Sequence, residues 1–146
     1  MQTIENDVIY IGALGIRYLR DGSADRTAGM FELTVPLGAK SPPAHSHDNE
    51  EMIYCLQGTL RSTVGDVVRD LGPGDIAYTP RGVAHAFSNP HDQLARVLVI
   101  NTPDVGSQYF RDVAQAVQSP NGPDPAKVVE VMRRYGLTPV APKTNA

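Results

Sequence analysis

Several features that mark particular classes of protein are scarce or absent in this sequence. Tryptophan is absent, and the 146 residues include one cysteine, Cys55, so a disulfide within the chain is excluded. A single thiol is typical of proteins in a reducing compartment, and we therefore expect a cytoplasmic location. The acidic N-terminus lacks the apolar run of a secretory signal, and no segment approaches the roughly 18 apolar residues of a membrane span. The sequence thus gives no indication of secretion or of a membrane partner.

An excess of either charge is also missing. The 13 lysine and arginine residues and the 16 aspartate and glutamate residues give a formal net charge of −3, and the basic residues form no stripe. We therefore expect no nucleic-acid partner, because polyanion binding needs a basic surface. The hydrophobic fraction of 41% is ordinary for a globular protein, and the length suffices for one domain with a hydrophobic core.

Short β-strands separated by turn residues dominate residues 1–104, which we predict to form a β-barrel. The candidate strands are rich in β-branched and aromatic residues, and glycine, proline and asparagine punctuate them at short intervals. This spacing favours an all-β sandwich or small barrel over a fold of alternating strands and helices. The predicted strands cover residues 8–11, 16–19, 30–35, 52–56, 59–64, 67–68, 76–79, 84–87 and 95–100.

The pattern becomes helical in residues 105–146, which we predict to be a short C-terminal helical extension packed on the same single domain. Apolar residues recur at helical spacing over residues 107–117. A second helix has clear boundary signals, with Asp124 at the N-cap, Pro125 at the first helical position and Gly136 after the last turn. Two helices are therefore expected after the strands.

Two roles are open for these helices. Amphipathic helices of this kind pack on the outside of a barrel and cover its apolar surface. Alternatively, Tyr109 or Phe110 reaches over the barrel mouth, and the first helix then forms a lid. We expect residues 139–146 to be frayed, as chain ends without strong patterning are.

Three of the four histidines and one glutamate lie in two segments framed by glycine and proline. His45 and His47 are two residues apart and therefore point to the same face of an extended segment. Glu51 has the same parity, and a turn at residues 48–49 would bring it back beside them. His85 must arrive from a distant strand, as barrel closure allows. Neutral imidazole and carboxylate groups bind divalent transition metals, so these four residues are the candidate metal ligands.

The alternative interpretation is that these are unrelated polar residues near turns. Glu50 is the competing carboxylate, but its parity is opposite to that of His45 and His47. We therefore expect it to be exposed or to orient a metal ligand without binding the metal itself. We interpret His91, which lies between a proline and an aspartate, as a surface turn residue.

The first of the two segments resembles the first motif of the cupin superfamily, usually written G-x5-H-x-H-x3,4-E-x6-G. His45, His47, Glu51 and Gly58 match this motif, with three residues between His47 and Glu51 and six between Glu51 and Gly58. Gly38 lies one residue further from His45 than the motif requires, which is a departure within a loop.

The second segment matches the second cupin motif, G-x5-P-x-G-x2-H-x3-N, without deviation. The matching residues are Gly74, Pro80, Gly82, His85 and Asn89. The short separation of the two motifs is similar to that of small bacterial single-domain cupins, among them the quercetin-dioxygenase-like monocupins.

This resemblance implies a fold, a cofactor and a set of site residues. The fold would be a double-stranded β-helix, the jelly-roll cupin barrel, with the helical extension at its C-terminal end. One divalent transition metal, from the group iron, manganese, nickel, cobalt, copper and zinc, would be held by His45, His47, Glu51 and His85. Cupins commonly pair through the edge strands of their sheets, so we expect a homodimer.

Cupins carry out several reactions, so the resemblance leaves three functions open. The first is a metal-dependent dioxygenase that cleaves an enol or enolate substrate with O2, in which Glu51 stays a ligand or acts as the catalytic general base. The second is a non-redox lyase, isomerase or cyclase, in which the metal polarises a carbonyl group. The third is a ligand-binding or sensing protein without turnover. In all three the partner is a small organic molecule.

Overall fold

Two antiparallel β-sheets and two helices make up the part of the chain that the computed structural model describes, which is residues 7–39 and 43–140. The helices are α1 (Ser107–Val117) and α2 (Pro125–Arg134). The strands are β1 (Val8–Ile11), β2 (Leu14–Arg20), β3 (Gly29–Val35), β4 (His45–Ser46), β5 (Glu50–Gln57), β6 (Leu60–Val64), β7 (Val67–Leu71), β8 (Ile76–Thr79), β9 (His85–Ser88), β10 (Ala95–Thr102) and β11 (Thr138–Pro139).

The two sheets confirm the predicted all-β jelly-roll architecture. One sheet has the strand order β1-β2-β3-β10-β5-β8, and the other has the order β11-β4-β9-β6-β7. Alternate residues of the central strands face the space between the sheets, as in Phe31, Leu33 and Val35 of β3, which are at most 4% exposed. The period of two in the sequence therefore places one face of each strand in a common apolar core.

The turns between the strands follow the sequence signals. Val64 and Val67 pair across a two-residue hairpin whose first central residue, Gly65, has φ of 58°. Gly82 has φ of 77° and lies just before β9, in the turn that delivers His85 to the barrel. A positive φ of this kind is readily adopted by glycine and disfavoured for residues with a Cβ atom.

The C-terminal end of the described chain departs from the expectation of fraying. Thr138 and Pro139 form β11 and pair with Ser46 and His45 of β4, and the backbone N–H of Val140 donates to the Ala44 carbonyl at 2.7 Å. Proline is tolerated here because β11 is an edge strand of its sheet. The prediction of fraying was therefore wrong for residues 139–140, and residues 141–146 lie outside the described residues.

Both helices form within the predicted bounds. Asp124 caps α2, since its side chain accepts from the Ala126 N–H at 3.0 Å, and Pro125 occupies the first turn. The apolar faces of both helices are buried, with Val113 and Met132 at most 1% exposed. The division of the chain at residue 104 stays a prediction. Over residues 7–39 and 43–140, the helices are too short and too polar to cross a membrane.

Candidate metal centre

The three motif histidines converge at one end of the space between the sheets. His45 on β4 lies directly opposite His85 on β9, and His47 follows β4 at the turn toward β5. One ring nitrogen of each histidine lies within 4.8 Å of the corresponding nitrogens of the other two. The ring centroids are 4.6 Å apart for His45 and His85 and 4.7 Å apart for His47 and His85. Three imidazoles at this separation could hold one metal ion.

The hydrogen bonds of the rings leave one nitrogen of each imidazole available for a metal. Nδ1 of His45 lies 3.1 Å from the Pro43 carbonyl, and Nδ1 of His85 lies 3.0 Å from the Val83 carbonyl. Nδ1 of His47 is 3.2 Å from the Asn49 carbonyl. A carbonyl oxygen can only accept, so each Nδ1 of a neutral ring carries the proton and each Nε2 keeps its lone pair. Main-chain acceptors of this kind orient ligating histidines in metal sites.

Glu51 on β5 approaches His85 of this cluster from the facing sheet. Its Oε2 lies 3.2 Å from Nε2 of His85, and that nitrogen is buried and without a hydrogen-bond partner among the described residues. Two ligand atoms bound at about 2.1 Å to one metal ion, at a right angle, would be roughly 3.0 Å apart. The distance between Oε2 of Glu51 and Nε2 of His85, and the lack of a hydrogen bond at that nitrogen, both fit two ligand atoms that bind the same metal ion. The assignment of His45, His47, Glu51 and His85 as ligands stays a prediction.

The electrostatics of the cluster favour neutral His45 and His47 beside an ionised Glu51, whereas the contact with Glu51 favours the protonated form of His85. Burial, together with the neighbouring His85, lowers the pKa of His45 to about 4. Burial also lowers the pKa of His47, against the opposing effect of Glu51. Burial alone would raise the pKa of Glu51 and lower that of His85, but their mutual contact reverses both directions. Neutral imidazole and carboxylate are the protonation states that bind a metal ion.

A cavity of about 70 Å³ adjoins this cluster. Its wall is mostly apolar and comes from β1, β2, β3, β5 and β10, while Phe87 of β9 also lines it. The opposite end is covered by Tyr109, Phe110 and Val113 of α1 and by Leu137. α1 therefore forms part of the cavity wall, where Tyr109 is 5% exposed, and the choice between a lid and an exterior helix stays a prediction.

Three other residues with polar or reactive side chains lie away from the cavity. Glu50 points outward, where its carboxylate accepts a hydrogen bond from Tyr78 at 2.8 Å. His91 contacts Asp70 on the surface through Nε2 at 3.1 Å. Cys55 is fully buried in the core, with its Sγ 3.5 Å from the Gly58 carbonyl. None of these side chains lines the cavity.

Sequence reasoning missed one polar residue of the cavity, Asn101. It lies on β10 directly opposite Glu51, is 2% exposed, and lines the cavity. A signal for it exists in the sequence, because Asn101 has the same parity as the buried residues Val97 and Val99. A polar residue that continues an apolar stripe is expected to be buried. A buried polar group needs hydrogen-bond partners, so such a residue stands out as a candidate for the site.

The comparisons with known proteins agree with this architecture. The cupin domain family model (Cupin_2) matches residues 31–101, which include every ligand candidate. An RmlC-like cupin from Shewanella frigidimarina has 20% identity and a TM-score of 0.61, covering 68% of this chain and 86% of that one.

Two further solved structures have names that state an activity. The polyketide cyclase RemF from Streptomyces resistomycificus is 28% identical with a TM-score of 0.55, covering 62% of this chain and 66% of that one. A sugar phosphate isomerase of the cupin superfamily from Silicibacter pomeroyi is 27% identical with a TM-score of 0.56, covering 64% and 62% of the two chains. The motifs, the jelly-roll sheets and the family match together show that this chain belongs to the cupin superfamily.

Proposed function

We propose that the chain is a metal-dependent enzyme that acts on a small, enolisable carbonyl compound. The observation that carries this proposal is the pairing of a polar cluster with an apolar chamber. Three histidines with their Nδ1 atoms bound to carbonyls lie with Glu51 beside a cavity whose other walls are mostly apolar. Such a site can orient one polar group of a substrate and exclude bulk water from it.

His45, His47, Glu51 and His85 would hold one divalent transition metal, from the group iron, manganese, nickel, cobalt, copper and zinc. When bound, the metal would supply Lewis acidity toward a substrate oxygen. The histidines would supply the neutral part of the ligand set, since each Nδ1 faces a main-chain carbonyl. Only Glu51 among the four is a carboxylate that can also take up a proton.

Glu51 is therefore the candidate general base. A carbonyl compound whose oxygen lies at the histidine cluster would present the neighbouring C–H group to the carboxylate, which would remove the proton. The apolar wall would keep competing water away from the carbon that loses the proton. The small volume, about 70 Å³, favours a substrate of a few heavy atoms unless α1 moves.

Two reactions are compatible with this step. The first candidate is a dioxygenase, in which O2 attacks the deprotonated carbon and both oxygen atoms enter the products as a C–C bond breaks. The second is a non-redox lyase, isomerase or cyclase, in which the proton is returned elsewhere. The names of two relatives that are 27% and 28% identical, an isomerase and a cyclase, favour the second.

A proton-exchange experiment separates these possibilities. Protein loaded with iron, manganese or nickel would be mixed with hydroxyacetone in D2O without oxygen, and deuterium uptake followed by NMR. We expect exchange that Glu51→Gln lowers by about 10²- to 10⁴-fold and that His91→Ala leaves unchanged. Oxygen uptake by the same mixtures in air would identify the dioxygenase. Binding without exchange or oxygen uptake would contradict an enzyme and favour a ligand sensor.

We also propose that two copies of the chain form a homodimer through β7 and β8, which are one edge strand of each sheet. Val67, Val68, Ile76 and Tyr78 on these strands are 50–59% exposed, although they are large and apolar. Exposed apolar edges invite pairing with another strand. The free thiol of Cys55 accords with a cytoplasmic location, which remains a proposal.

A further inference from the structure

The amide oxygen of Asn101 lacks the hydrogen bond that a buried acceptor needs. Asn101 is 2% exposed, and its Oδ1 is buried and has no partner among the described residues. A buried amide without partners lowers stability, because the water that it loses on folding is not replaced. An unsatisfied group in a folded protein therefore requires an explanation.

Among the described residues, no group around Asn101 satisfies its Oδ1. On one side β10 pairs with β5, and Glu51 lies directly opposite Asn101. On the other side β3 contributes Gly29, and the space that a side chain of Gly29 would need is filled by the carboxyl group of Asp104. The oxygens of Asp104 accept instead from the Tyr18 hydroxyl at 3.1 Å and from the Gly22 N–H at 3.0 Å.

The position of Asn101 places it between the metal cluster and the apolar chamber. Directly opposite residues of an antiparallel pair have Cβ atoms about 5 Å apart and point to the same face. Asn101 and Glu51 both line the cavity, so the amide lies beside the candidate base on the side of the chamber. An amide offers two N–H donors and a carbonyl acceptor to a molecule in the cavity.

We propose that Asn101 is a substrate-binding residue whose Oδ1 accepts a hydrogen bond from a hydroxyl group of the substrate. This inference rests on the proposed function and narrows its substrate class to compounds with a hydroxyl group next to the oxygen at the histidine cluster, such as α-hydroxy ketones and enediols. One oxygen lies at the histidine cluster, and the neighbouring hydroxyl group donates to Oδ1 of Asn101. Compounds with a single oxygen leave the amide unsatisfied and bind more weakly, because a site with unpaired buried polar groups rejects them.

Thr79 provides a matched control. It lies opposite Glu51 on the other neighbouring strand, β8, and is 3% exposed, so it has the same relation to Glu51 as Asn101 has. Thr79 does not line the cavity, whereas Asn101 does. A substitution that acts through Glu51 would therefore show its effect at both positions, and loss of a direct contact with substrate would show it only at Asn101.

The test uses cobalt(II)-loaded protein and two probes, acetohydroxamate, which carries a hydrogen-bond donor beside its carbonyl oxygen, and azide, which carries none. Visible absorption of the cobalt measures the affinity of each probe. We expect Asn101→Leu to bind acetohydroxamate about tenfold more weakly, with its azide affinity unchanged. Thr79→Val should bind both probes as the parent does. Asn101→Leu should also raise the unfolding temperature of metal-free protein by about 3 °C, since it removes an unsatisfied group.

Four results would overturn the proposal. Equal acetohydroxamate affinity in the parent and in Asn101→Leu would contradict a direct contact between Asn101 and the probe. A loss of acetohydroxamate affinity in Thr79→Val as large as that in Asn101→Leu would contradict it as well. A loss of azide affinity in Asn101→Leu as large as that of acetohydroxamate would assign Asn101 to the support of the metal. Failure of the parent to bind cobalt would instead reject the metal site of the proposed function, and with it this inference.

Discussion

The two ends of the cavity are built in different ways. At the metal end, histidines on β4 and β9 and in the turn after β4 meet Glu51 of β5, and main-chain carbonyls fix all three rings. At the α1 end, the contacts are apolar and aromatic. Phe110 packs on Phe31 of β3 with ring centroids 5.1 Å apart, and Tyr109 packs on Tyr135 at 5.5 Å.

This difference separates function from stability within one cavity. Buried polar groups that await a ligand add little to the stability of the folded chain, and they often reduce it. Buried apolar side chains stabilise the fold by removal from water and by close packing. Substitutions at the metal end should therefore change metal binding with small effects on unfolding, and substitutions in α1 should do the reverse.

The largest effect is expected for His47→Ala. Loss of one imidazole from the ligand set should lower metal affinity by at least about a hundredfold, as even changes in supporting residues reach this size. The unfolding temperature of the metal-free protein should stay within about 3 °C of the parent. Elemental analysis of purified protein and thermal unfolding measure the two quantities. His91→Ala, on the surface beside Asp70, is the control, and full metal retention in His47→Ala would refute the site.

A smaller effect is expected for Val113→Ala, which should lower the stability of the protein without lowering its metal content. Val113 is 1% exposed and lines the cavity from α1, so its truncation should destabilise the protein by about 2 kcal/mol. The unfolding temperature should fall by roughly 6 °C, while the metal content stays that of the parent. Gln115→Ala, on the exposed face of the same helix, should change neither. A loss of metal in Val113→Ala would show that the two ends are coupled.

The metal end was the more predictable of the two from sequence. The parity of His45 and His47 and the spacing of the motifs are local, and the structure brings these residues together with His85 and Glu51. The strands are equally local in origin, and β1 and β8 have the predicted bounds. A period of two in the sequence predicts a strand well, because side chains alternate between the two faces of a strand and one face is buried.

The parts that sequence could not supply depend on contacts between distant segments. β11 has two residues, one of them a proline, and it exists because β4 offers a partner at the sheet edge. The missing partners of Asn101 become visible only when Glu51, Gly29 and Asp104 are located around it. The choice between an exterior helix and a lid also rests on tertiary packing, since both roles need the same amphipathic pattern.

The smallest effect is expected at the attachment of α1 to the barrel. Gly106, the N-cap of α1, has no side chain, and Asp21 from the loop after β2 takes over the capping. Its Oδ2 accepts from the Ser107 N–H at 3.0 Å and from the Ser107 hydroxyl at 2.7 Å. Burial alone would raise the pKa of Asp21, but the hydrogen bonds from Ser107 and Ser23 lower it well below its ordinary value of 3.8.

Asp21→Ala should therefore destabilise the protein by about 1 kcal/mol at pH 7, the usual cost of a lost helix cap. Because the pKa of Asp21 is lowered in the folded state, this contribution is complete above the pKa of the unfolded chain, near 3.8, and is lost as the pH falls below it. The difference in unfolding temperature between parent and variant should thus be constant from pH 7 to pH 5 and shrink below about pH 4. Asp25→Ala, which loses only the bond from the Thr27 hydroxyl in the same loop, is the control. A difference that persists at low pH would show that the carboxylate charge of Asp21 does not hold α1 on the barrel.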